Sequence, residues 1–422
     1  KAGDSYVRTY TFTRTSGGGG TITYAVKWVG NDGTFASAGS VALPLNTPVS
    51  FPVTVTAASV GIHSAILNLD DPANPGVEAQ TMNTVVAAEQ FTAANGYAVT
   101  KSGTIARNQS TSYFFNVPAN TPAFKVDLTG GGTAAGAGQI RFLRFHPYGV
   151  GIDANSTPYW YNPPVPTCAG TPTQCSAAAA VSRTVGNPQP GVWEVAVEMR
   201  RTSDALQAPY SITASVLGAT VTPIVIPTAQ VGVPVTASAT ATNIYGTFTG
   251  RMVGGTLGSA LLATPTIQTG QVHTTTVTVP AGASSLRATI GSTSDAAADL
   301  DLYVYGPSGA LAGQSADGDS EESVTIAAAP GTYTIVVDGY SVPAGSTTYN
   351  YVDVVTATAY GSVSLTDTNA ERLSGASWTV PVTVTAGAVP APGRVLLGAV
   401  RVATSANVVV GTGDVLVKQV TP

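Results

Sequence analysis

The chain has 422 residues and a formal net charge of −5, and only 10% of its residues are charged. It has no basic run with interleaved aromatic residues, which argues against a nucleic-acid partner. No apolar run approaches the ~18–20 residues that a membrane-spanning helix needs. The low charge, together with 46 glycines and 28 prolines, is typical of turn-rich all-β domains and of secreted proteins.

The first predicted element is a small antiparallel sandwich. Residues 49–71 read as two strands with alternating apolar residues around a short turn. A weaker copy of this segment returns at residues 376–402, and both copies place an aromatic residue before Pro-Val-Thr-Val-Thr-Ala. We therefore expect related small sandwiches at 1–90 and 356–422.

A second repeat fills the middle of the chain, at residues 112–218 and again at 273–357. Each copy has a strand that ends in Val-Pro-Ala, a strand of Val, Leu and basic residues, and an aromatic strand that ends in Gly. A Pro-Gly turn with a following aromatic residue and a closing Tyr-containing strand complete it. The repeat predicts two further β-sandwiches, at 91–219 and 220–355, and an A-B-B-A order of modules.

Two cysteines, Cys168 and Cys175, lie in a Pro- and Gly-rich segment of the second module. Such a segment offers no helix to present a redox pair, and two cysteines are too few for a zinc site. A disulfide bond that closes this short loop is favoured and indicates an oxidising compartment, while two free thiols are the alternative. The same loop carries YWYNPP at 159–164, which either anchors the loop or binds sugar or peptide.

The chain has three histidines, His63, His146 and His273. A Ser-His-Asp triad needs a histidine beside an activated serine. Ser64 follows His63, but neighbours along a strand point to opposite faces, and no Gly-x-Ser-x-Gly elbow accompanies them. We expect no triad, and we interpret His63 as a strand residue beside a turn and His146 as a packing residue at a strand end.

The segment DLDLYVYGPSG at 299–309 is the most informative part of the chain. Aspartate alternates with apolar residues, which predicts a half-buried strand with Asp299 and Asp301 side by side on one face. Residues 288–350 hold eight acidic residues and no basic residue. Two like carboxylates at this distance repel each other unless a cation or hydrogen-bond donors compensate.

Asp317 and Asp319 offer further carboxylates at alternate positions in the segment DGDSEES. Calcium takes six to eight oxygen ligands, which two such segments and backbone carbonyls can supply. The candidate calcium ligands are therefore Asp299, Asp301, Asp317 and Asp319. The spacing is not that of an EF-hand, because the sixth-position Gly and twelfth-position Glu are missing. The alternative is a solvated acidic face without an ion.

The segments VPAGASSLRATIG, DLDLYVYGPSG and ESVTIAAAPGTYTIVVDGY occur in this order between residues 279 and 340. They resemble the bacterial pre-peptidase C-terminal domain, a β-sandwich or jelly roll of secreted proteases. Residues 61–72 and 142–218 are similar to the region after the catalytic domain of large actinobacterial subtilisin-like serine proteases, where a fibronectin type III-like domain follows. The resemblance implies an all-β chain of tandem antiparallel sandwiches, with two jelly-roll-like modules flanked by immunoglobulin- or fibronectin-like ones.

The sequence lacks the motifs that a subtilisin-like protease carries around its catalytic Asp, His and Ser. The resemblance therefore implies a secreted, non-catalytic C-terminal region of a subtilisin-like endopeptidase or tripeptidyl-peptidase-like enzyme. We expect it to stabilise or orient an upstream catalytic domain, which the first sandwich would contact, and to contact a protein or peptide substrate. The alternative is a stand-alone extracellular adhesion or carbohydrate-binding array.

Overall fold

A computed structural model of the chain shows two compact units, Lys1–Val216 and Leu217–Pro422. The residues that it describes are 1–132, 136–153 and 181–422. Strands dominate both units, and the short 3-10 turns are Ala93–Asn95 and Thr358–Tyr360. No helix within these described ranges has the length and apolarity needed to cross a membrane. The predicted all-β class with antiparallel sandwiches is confirmed.

The first sandwich has two sheets whose inner faces share one core. Its strands are β1 (Ser5–Thr13), β2 (Ile22–Val29), β3 (Phe35–Ser37), β4 (Ser40–Leu43), β5 (Pro48–Thr56), β6 (Gly61–Asp70) and β7 (Ala79–Ala87). One sheet has the order β1-β5-β3 and the other β4-β2-β6-β7. Alternate residues point inward, so Tyr24, Phe35, Phe51 and Leu67 from both sheets pack together.

The second sandwich follows in the same unit. Its strands are β8 (Glu89–Gln90), β9 (Ala98–Ala106), β10 (Ser110–Val117), β11 (Ala123–Gly130), β12 (Ile140–Phe145), β13 (Val181–Gly186), β14 (Gly191–Met199) and β15 (Gln207–Leu217). The sheets have the orders β12-β14-β10-β8 and β13-β11-β15-β9. Trp193 on β14 joins them, because its ring packs against Phe124 on β11 at a centroid distance of 5.4 Å.

The second unit contains two sandwiches that share one long sheet. Its strands are β16 (Ala219–Val221), β17 (Ile224–Gln230), β18 (Pro234–Asn243), β19 (Phe248–Val253), β20 (Gly255–Thr256), β21 (Gly258–Ala263), β22 (Thr266–Ile267), β23 (Val272–Val279), β24 (Ala283–Gly291), β25 (Asp299–Tyr305), β26 (Leu311–Ser315), β27 (Ser323–Ile326), β28 (Gly331–Ser341), β29 (Thr347–Thr348), β30 (Asn350–Ala357), β31 (Gly361–Leu365), β32 (Ala370–Arg372), β33 (Ser377–Ala386), β34 (Val395–Thr404) and β35 (Val409–Thr421). The long sheet runs β17-β35-β34-β21-β30-β24-β27, with β19 and β32 attached beside β34.

The third sandwich repeats the strand order of the second. Its sheet β23-β28-β25-β26 faces strands β27-β24-β30-β21 of the long sheet. Leu286, Leu302, Ile335 and Tyr351 come from both layers and belong to one buried core. Strands β21, β23, β24, β25, β27, β28 and β30 have the same neighbours as β9, β10, β11, β12, β13, β14 and β15 in the second sandwich. The repeat in the sequence thus corresponds to a repeat of topology.

The fourth sandwich differs from the predicted division at residue 355. Residues 356–422 do not form a module by themselves, because β33 pairs with β18 and β35 pairs with β17. The strands β18, β19, β31, β32, β33, β34 and β35 pair as β1, β2, β3, β4, β5, β6 and β7 do in the first sandwich. The third sandwich is therefore inserted between the second and third strands of the fourth.

The chain leaves and re-enters the fourth sandwich at neighbouring strands. Gly255 on β20 pairs with Val363 on β31, so the two ends of the insertion lie side by side. Gly361 opens β31 with a φ of +106°, and a Cβ atom there would lie 2.0 Å from the carbonyl oxygen of Thr385. Only glycine fits a backbone of this conformation at such a close approach.

A buried ion pair joins the two sandwiches of the second unit. Asp353 on β30 is fully buried and accepts a hydrogen bond from Arg394, which precedes β34. Arg394 also donates to the hydroxyl and carbonyl oxygens of Ser259 on β21, at 2.8 and 2.9 Å. The hydroxyl of Tyr351 donates to the other Asp353 oxygen at 3.1 Å. Both Asp353 oxygens therefore have partners, which burial of a carboxylate requires.

We predict that Arg394→Ala lowers the free energy of unfolding of the second unit by about 3–5 kcal/mol, since it leaves a buried carboxylate without its cation. Urea denaturation followed by tryptophan fluorescence and circular dichroism measures the change. The matched control is Arg401→Ala, an exposed arginine on β34, which should stay within about 0.5 kcal/mol of the wild type. Equal effects of the two substitutions would contradict the structural role of the pair.

Candidate functional site

The predicted acidic residues meet at one end of the third sandwich. Asp299 and Asp301 lie on β25, and Asp317 and Asp319 lie in the loop between β26 and β27. The backbone N–H of Leu300 donates to the carbonyl oxygen of Asp319 at 3.2 Å, which ties the loop to the strand. The charges of Asp301, Asp317 and Asp319 all act on Asp299, and oxygens of Asp317 and Asp319 lie within 4.8 Å of each other in a group that does not include Asp299 or Asp301. We call these four residues the acidic cluster.

The loop of the acidic cluster is folded by its own side chains. A carboxylate oxygen of Asp317 accepts the backbone N–H of Asp319 at 3.2 Å, and Asp319 accepts that of Glu321 at 2.8 Å. The hydroxyl of Ser320 donates to the carbonyl oxygen of Ala298 at 2.6 Å. These short turns hold the Asp317 and Asp319 carboxylates near each other although both residues are exposed.

Glu322 is a member of the cluster that the sequence analysis did not select. Carboxylate oxygens of Asp317, Asp319 and Glu322 lie within 4.8 Å of one another. Glu322 is only 2% exposed, accepts the backbone N–H of Asp317 at 3.1 Å, and is hydrogen-bonded by the hydroxyl of Ser315. Its position depends on the fold of the loop, and in the sequence it is one of two adjacent glutamates without a distinguishing pattern.

The electrostatics of the cluster are unfavourable for its carboxylates. Burial raises the pKa of Asp299, and the neighbouring charges of Asp301, Asp317 and Asp319 raise it further. The Oδ1 atom of Asp299 is buried and has no hydrogen-bond partner among the described residues. Asp301 accepts a hydrogen bond from the Tyr303 hydroxyl at 2.9 Å, and this bond with burial raises the pKa of Tyr303 to about 12.

The second sandwich, which is the first copy of the repeat, has an ion pair at the position that corresponds to Asp301. Arg141 on β12 pairs across the sheet with Glu198, and their side chains form an ion pair. In the third sandwich the corresponding cross-strand pair is Asp301 and Asp338. Like charges directly opposite each other destabilise a sheet. The acidic copy therefore has no basic partner for Asp301 at the position where the first copy has an ion pair.

The histidine considered for a triad has a different role. The Nδ1 atom of His63 lies 2.5 Å from Oδ2 of Asp32, and its Nε2 atom lies 2.9 Å from the carbonyl oxygen of Ser59. Ser64 instead shares a hydrogen bond with Thr84 at 2.9 Å. The Asp32 carboxylate raises the pKa of His63. Since both ring nitrogens have acceptors, His63 holds two turns together, and neither of these acceptors is a serine hydroxyl.

The other two histidines also contact structural partners. His146 packs edge-on against Trp193, with 6.3 Å between ring centroids, as expected of a packing residue. His273 lies 2.9 Å from the hydroxyl of Tyr349. The candidate disulfide of Cys168 and Cys175 and the YWYNPP segment fall in residues 154–180, outside the described ranges, so their roles stay predictions.

Two segments of the chain match known domain families. Residues 1–87 match the Ig-like domain in actinomycete serine proteases, and residues 271–339 match the bacterial pre-peptidase C-terminal domain. The first match names an Ig-like domain where a fibronectin type III-like one was expected, and both types are antiparallel two-sheet sandwiches. The second match covers β23 to β28 of the third sandwich, including the acidic cluster.

Comparisons of the chain with known proteins gave matches to proteases. The chain is 26% identical to Pyrolysin of Pyrococcus furiosus over 311 residues, which is 72% of this chain and 20% of Pyrolysin. The crystal structure of tripeptidyl peptidase 2 aligns with a TM-score of 0.47 at 10% identity, over 99% of this chain and 40% of that one. The secreted serine protease VesC from Vibrio cholerae aligns with a TM-score of 0.25 at 10% identity, over 50% and 47%.

The chain thus spans about a fifth of Pyrolysin and two fifths of the tripeptidyl peptidase 2 chain. The match of the third sandwich is the domain that the resemblance in the sequence indicated, and the match of the first sandwich is an Ig-like domain of serine proteases. The chain therefore carries an Ig-like domain of the actinomycete serine protease type at its start and a pre-peptidase C-terminal domain in its third sandwich, as a protease C-terminal accessory region does.

Proposed function

We propose that residues 1–422 are a secreted, non-catalytic accessory region of a subtilisin-like serine protease. The observation that carries the proposal is the match of residues 1–87 to the Ig-like domain in actinomycete serine proteases. The similarity to Pyrolysin over 72% of the chain supports the same role. The histidine environments agree with it, since each described histidine ring contacts a structural partner.

The accessory role has two parts in this proposal. The region stabilises or orients a catalytic domain upstream of it, with the first sandwich as the contacting module. It also contacts the protein or peptide substrate outside the catalytic cleft. Binding energy from such remote contacts improves the use of protein substrates more than that of short ones, because only a long substrate reaches both surfaces.

We predict that the isolated chain hydrolyses neither casein nor a panel of peptide amides, with rates equal to buffer alone. Release of acid-soluble peptide and of the chromogenic amine measures turnover, with and without a serine-reactive inhibitor. Hydrolysis that the inhibitor blocks, and that disappears when one serine of this chain is changed to alanine, would contradict the proposal.

The accessory role is tested on the protease that the same gene encodes. Removal of residues 1–422 should lower kcat/KM for casein by a larger factor than kcat/KM for a chromogenic tetrapeptide, because only casein loses remote contacts. It should also lower the Tm of the catalytic domain. An unchanged ratio of the two kcat/KM values and an unchanged Tm would contradict both parts of the role. A gene without any protease domain would contradict them as well.

We further propose that the acidic cluster binds calcium through Asp299, Asp301, Asp317 and Asp319, with Glu322 as an added ligand. The buried and unpartnered Oδ1 of Asp299 supports this proposal. Calcium would supply the positive charge that the cross-strand pair of Asp301 and Asp338 lacks. It would also link β25 to the loop before β27. The alternative, a solvated acidic face, fits the exposed Asp317 and Asp319. It does not fit the buried Oδ1 of Asp299 or the buried Glu322.

We predict that calcium at about 100-fold over its Kd stabilises the second unit by about 2.7 kcal/mol, which raises its Tm by roughly 5–10 °C. Scanning calorimetry of the full chain measures the shift, and the Arg394→Ala variant identifies the transition of that unit. Asp301→Asn should abolish the shift, and Asp414→Asn, an exposed acid of the same unit, should keep it. No shift at millimolar calcium would favour the solvated face.

The pH dependence without calcium gives a second prediction. The folded state raises the pKa of Asp299 above its ordinary value of 3.8, so it binds the proton more tightly than the unfolded state does. This preference stabilises the fold at low pH and is lost as the pH rises through the raised pKa. In EDTA at pH 7, Asp299→Asn should therefore be more stable than the wild type.

The gain from Asp299→Asn should shrink as the pH falls through 3.8, because the wild-type carboxyl group then becomes protonated in both states. Calcium should reverse the order, because the variant loses a ligand. Urea midpoints at pH 3.5 and 7, in EDTA and in calcium, check all four values. If Asp299→Asn is less stable than the wild type at pH 7 in EDTA, repulsion between the carboxylates of the cluster does not destabilise the fold.

A further inference from the structure

Strand β1 of the first sandwich is a long edge strand with one free side. It pairs with β5 and stands at the end of the order β1-β5-β3, and no described strand pairs with its other side. Its first five residues, Ser5–Thr9, are all exposed. No other strand in the described ranges has five consecutive exposed residues. We call the free side of β1 the open edge.

The register of the sheet identifies the backbone groups that face the open edge. The N–H of Thr56 donates to the carbonyl oxygen of Thr34, so Thr56 directs its backbone polar groups away from β1. These groups alternate along an antiparallel ladder, so Val55 bonds to β1, at its partner Tyr6. The odd-numbered residues of β1 therefore direct their N–H and C=O groups to the open edge; they include Val7, Thr9 and Thr11.

The sequence of β1 favours pairing with a further strand. Residues 6–13 read YVRTYTFT, and seven of these eight residues are aromatic or β-branched, the types that are enriched in strands. The exposed part includes Tyr6 and Val7, which are 41% and 59% exposed. An exposed edge of this length and composition is a template for another strand unless proline, charge or a covering segment blocks it.

The fourth sandwich contains an added strand on the corresponding edge. Its strand β18 is the counterpart of β1, since Ser238 lies opposite Pro381 on β33 as Thr9 lies opposite Pro52 on β5. Strand β16 pairs with the side of β18 that β33 leaves free, in antiparallel direction, at Ala241–Asn243. The fold therefore accommodates an extended antiparallel segment at this edge.

The two counterparts differ in how the remainder of the edge is protected. Strand β18 begins with Pro234, and its missing N–H limits pairing at the end that β16 leaves uncovered. Strand β1 begins with Ser5 and has one charged residue, Arg8. Arg8 is exposed, its Cζ atom lies 5.3 Å from the centroid of the Tyr6 ring, and it forms no ion pair with any described residue. An acidic residue opposite Arg8 on an added strand would supply the missing opposite charge.

We infer that the open edge binds an extended segment of a protein substrate as an added antiparallel strand. Backbone hydrogen bonds to Val7, Thr9 and Thr11 give the affinity, and Arg8 favours a segment with an acidic residue opposite it. Strand addition depends first on the backbone, which suits a partner of variable sequence. This inference rests on the proposed accessory role, because it names the surface and the mode of the substrate contact.

The test uses the full chain and a rhodamine-labelled peptide, Thr-Val-Thr-Glu-Val-Tyr-Thr. In antiparallel register its glutamate lies opposite Arg8, and its third and fifth residues lie opposite Thr9 and Val7. Fluorescence anisotropy should show saturable binding. N-methylation of the third and fifth residues removes the N–H groups that face β1 and should abolish binding. N-methylation of the fourth and sixth residues is the matched control and should leave binding unchanged, because those N–H groups point away from β1.

The variant Thr9→Pro tests the same edge from the side of the protein. It removes an N–H that faces the open edge and none that bonds to β5, so the first unit should keep its Tm while binding weakens about tenfold. Thr9→Val keeps the N–H and should bind as the wild type does. Arg8→Gln should weaken binding of the glutamate peptide roughly threefold and leave binding of its glutamine version unchanged.

Equal binding of the two N-methylated peptides, or no binding of the parent peptide, would overturn the inference. A wild-type dimer in sedimentation that Thr9→Pro abolishes would overturn it as well, because the open edge would then join two copies of the chain. If Thr9→Pro does not fold, the N-methylated peptides still decide. The assay contains no catalytic domain, so its failure would leave the accessory role to be decided by the removal experiment.

Discussion

The second unit depends on backbone pairing between two segments that flank an inserted sandwich. Strand β33 contributes fully buried valines to the fourth sandwich. Strand β18 forms backbone hydrogen bonds along one of the two edges of β33. An unpaired buried backbone group would cost about as much as a lost hydrogen bond. Residues 356–422 alone would leave such groups along β33 and β35. The insertion is tolerated because it starts and ends at the paired strands β20 and β31.

The alternation of apolar residues and the Pro-Gly turns were sufficient to predict the strands and both repeats. They could not predict the nesting, because a period of two says which face a residue takes and not which strand lies beside it. The segment of β16 to β18 has the same alternation as a strand of any module. At the acidic cluster, strand periodicity placed Asp299 beside Asp301, whereas Glu322 is positioned by a loop whose turns follow from tertiary packing.

The low charge of the chain makes the position of each charge informative. Asp353 and Arg394 neutralise each other inside the second unit, and Arg141 and Glu198 do so across a sheet of the first. In a chain with few charged residues, the field of each charge is weakened little by neighbouring charges of opposite sign. Acidic residues that gather at one end of a sandwich therefore create a local negative potential that favours cations.

The acidic cluster lies where the chain passes from one layer of the third sandwich to the other. Strand β27 follows the loop that holds Asp317 and Asp319, and it pairs with β24, which carries Arg287. The loop therefore connects β26 in one layer to β27 at the edge of the long sheet, and a calcium ion bound there would act on both layers of the sandwich. At the equivalent position of the second sandwich, Glu198 supplies the opposite charge for Arg141, so the fold itself neutralises the pair there.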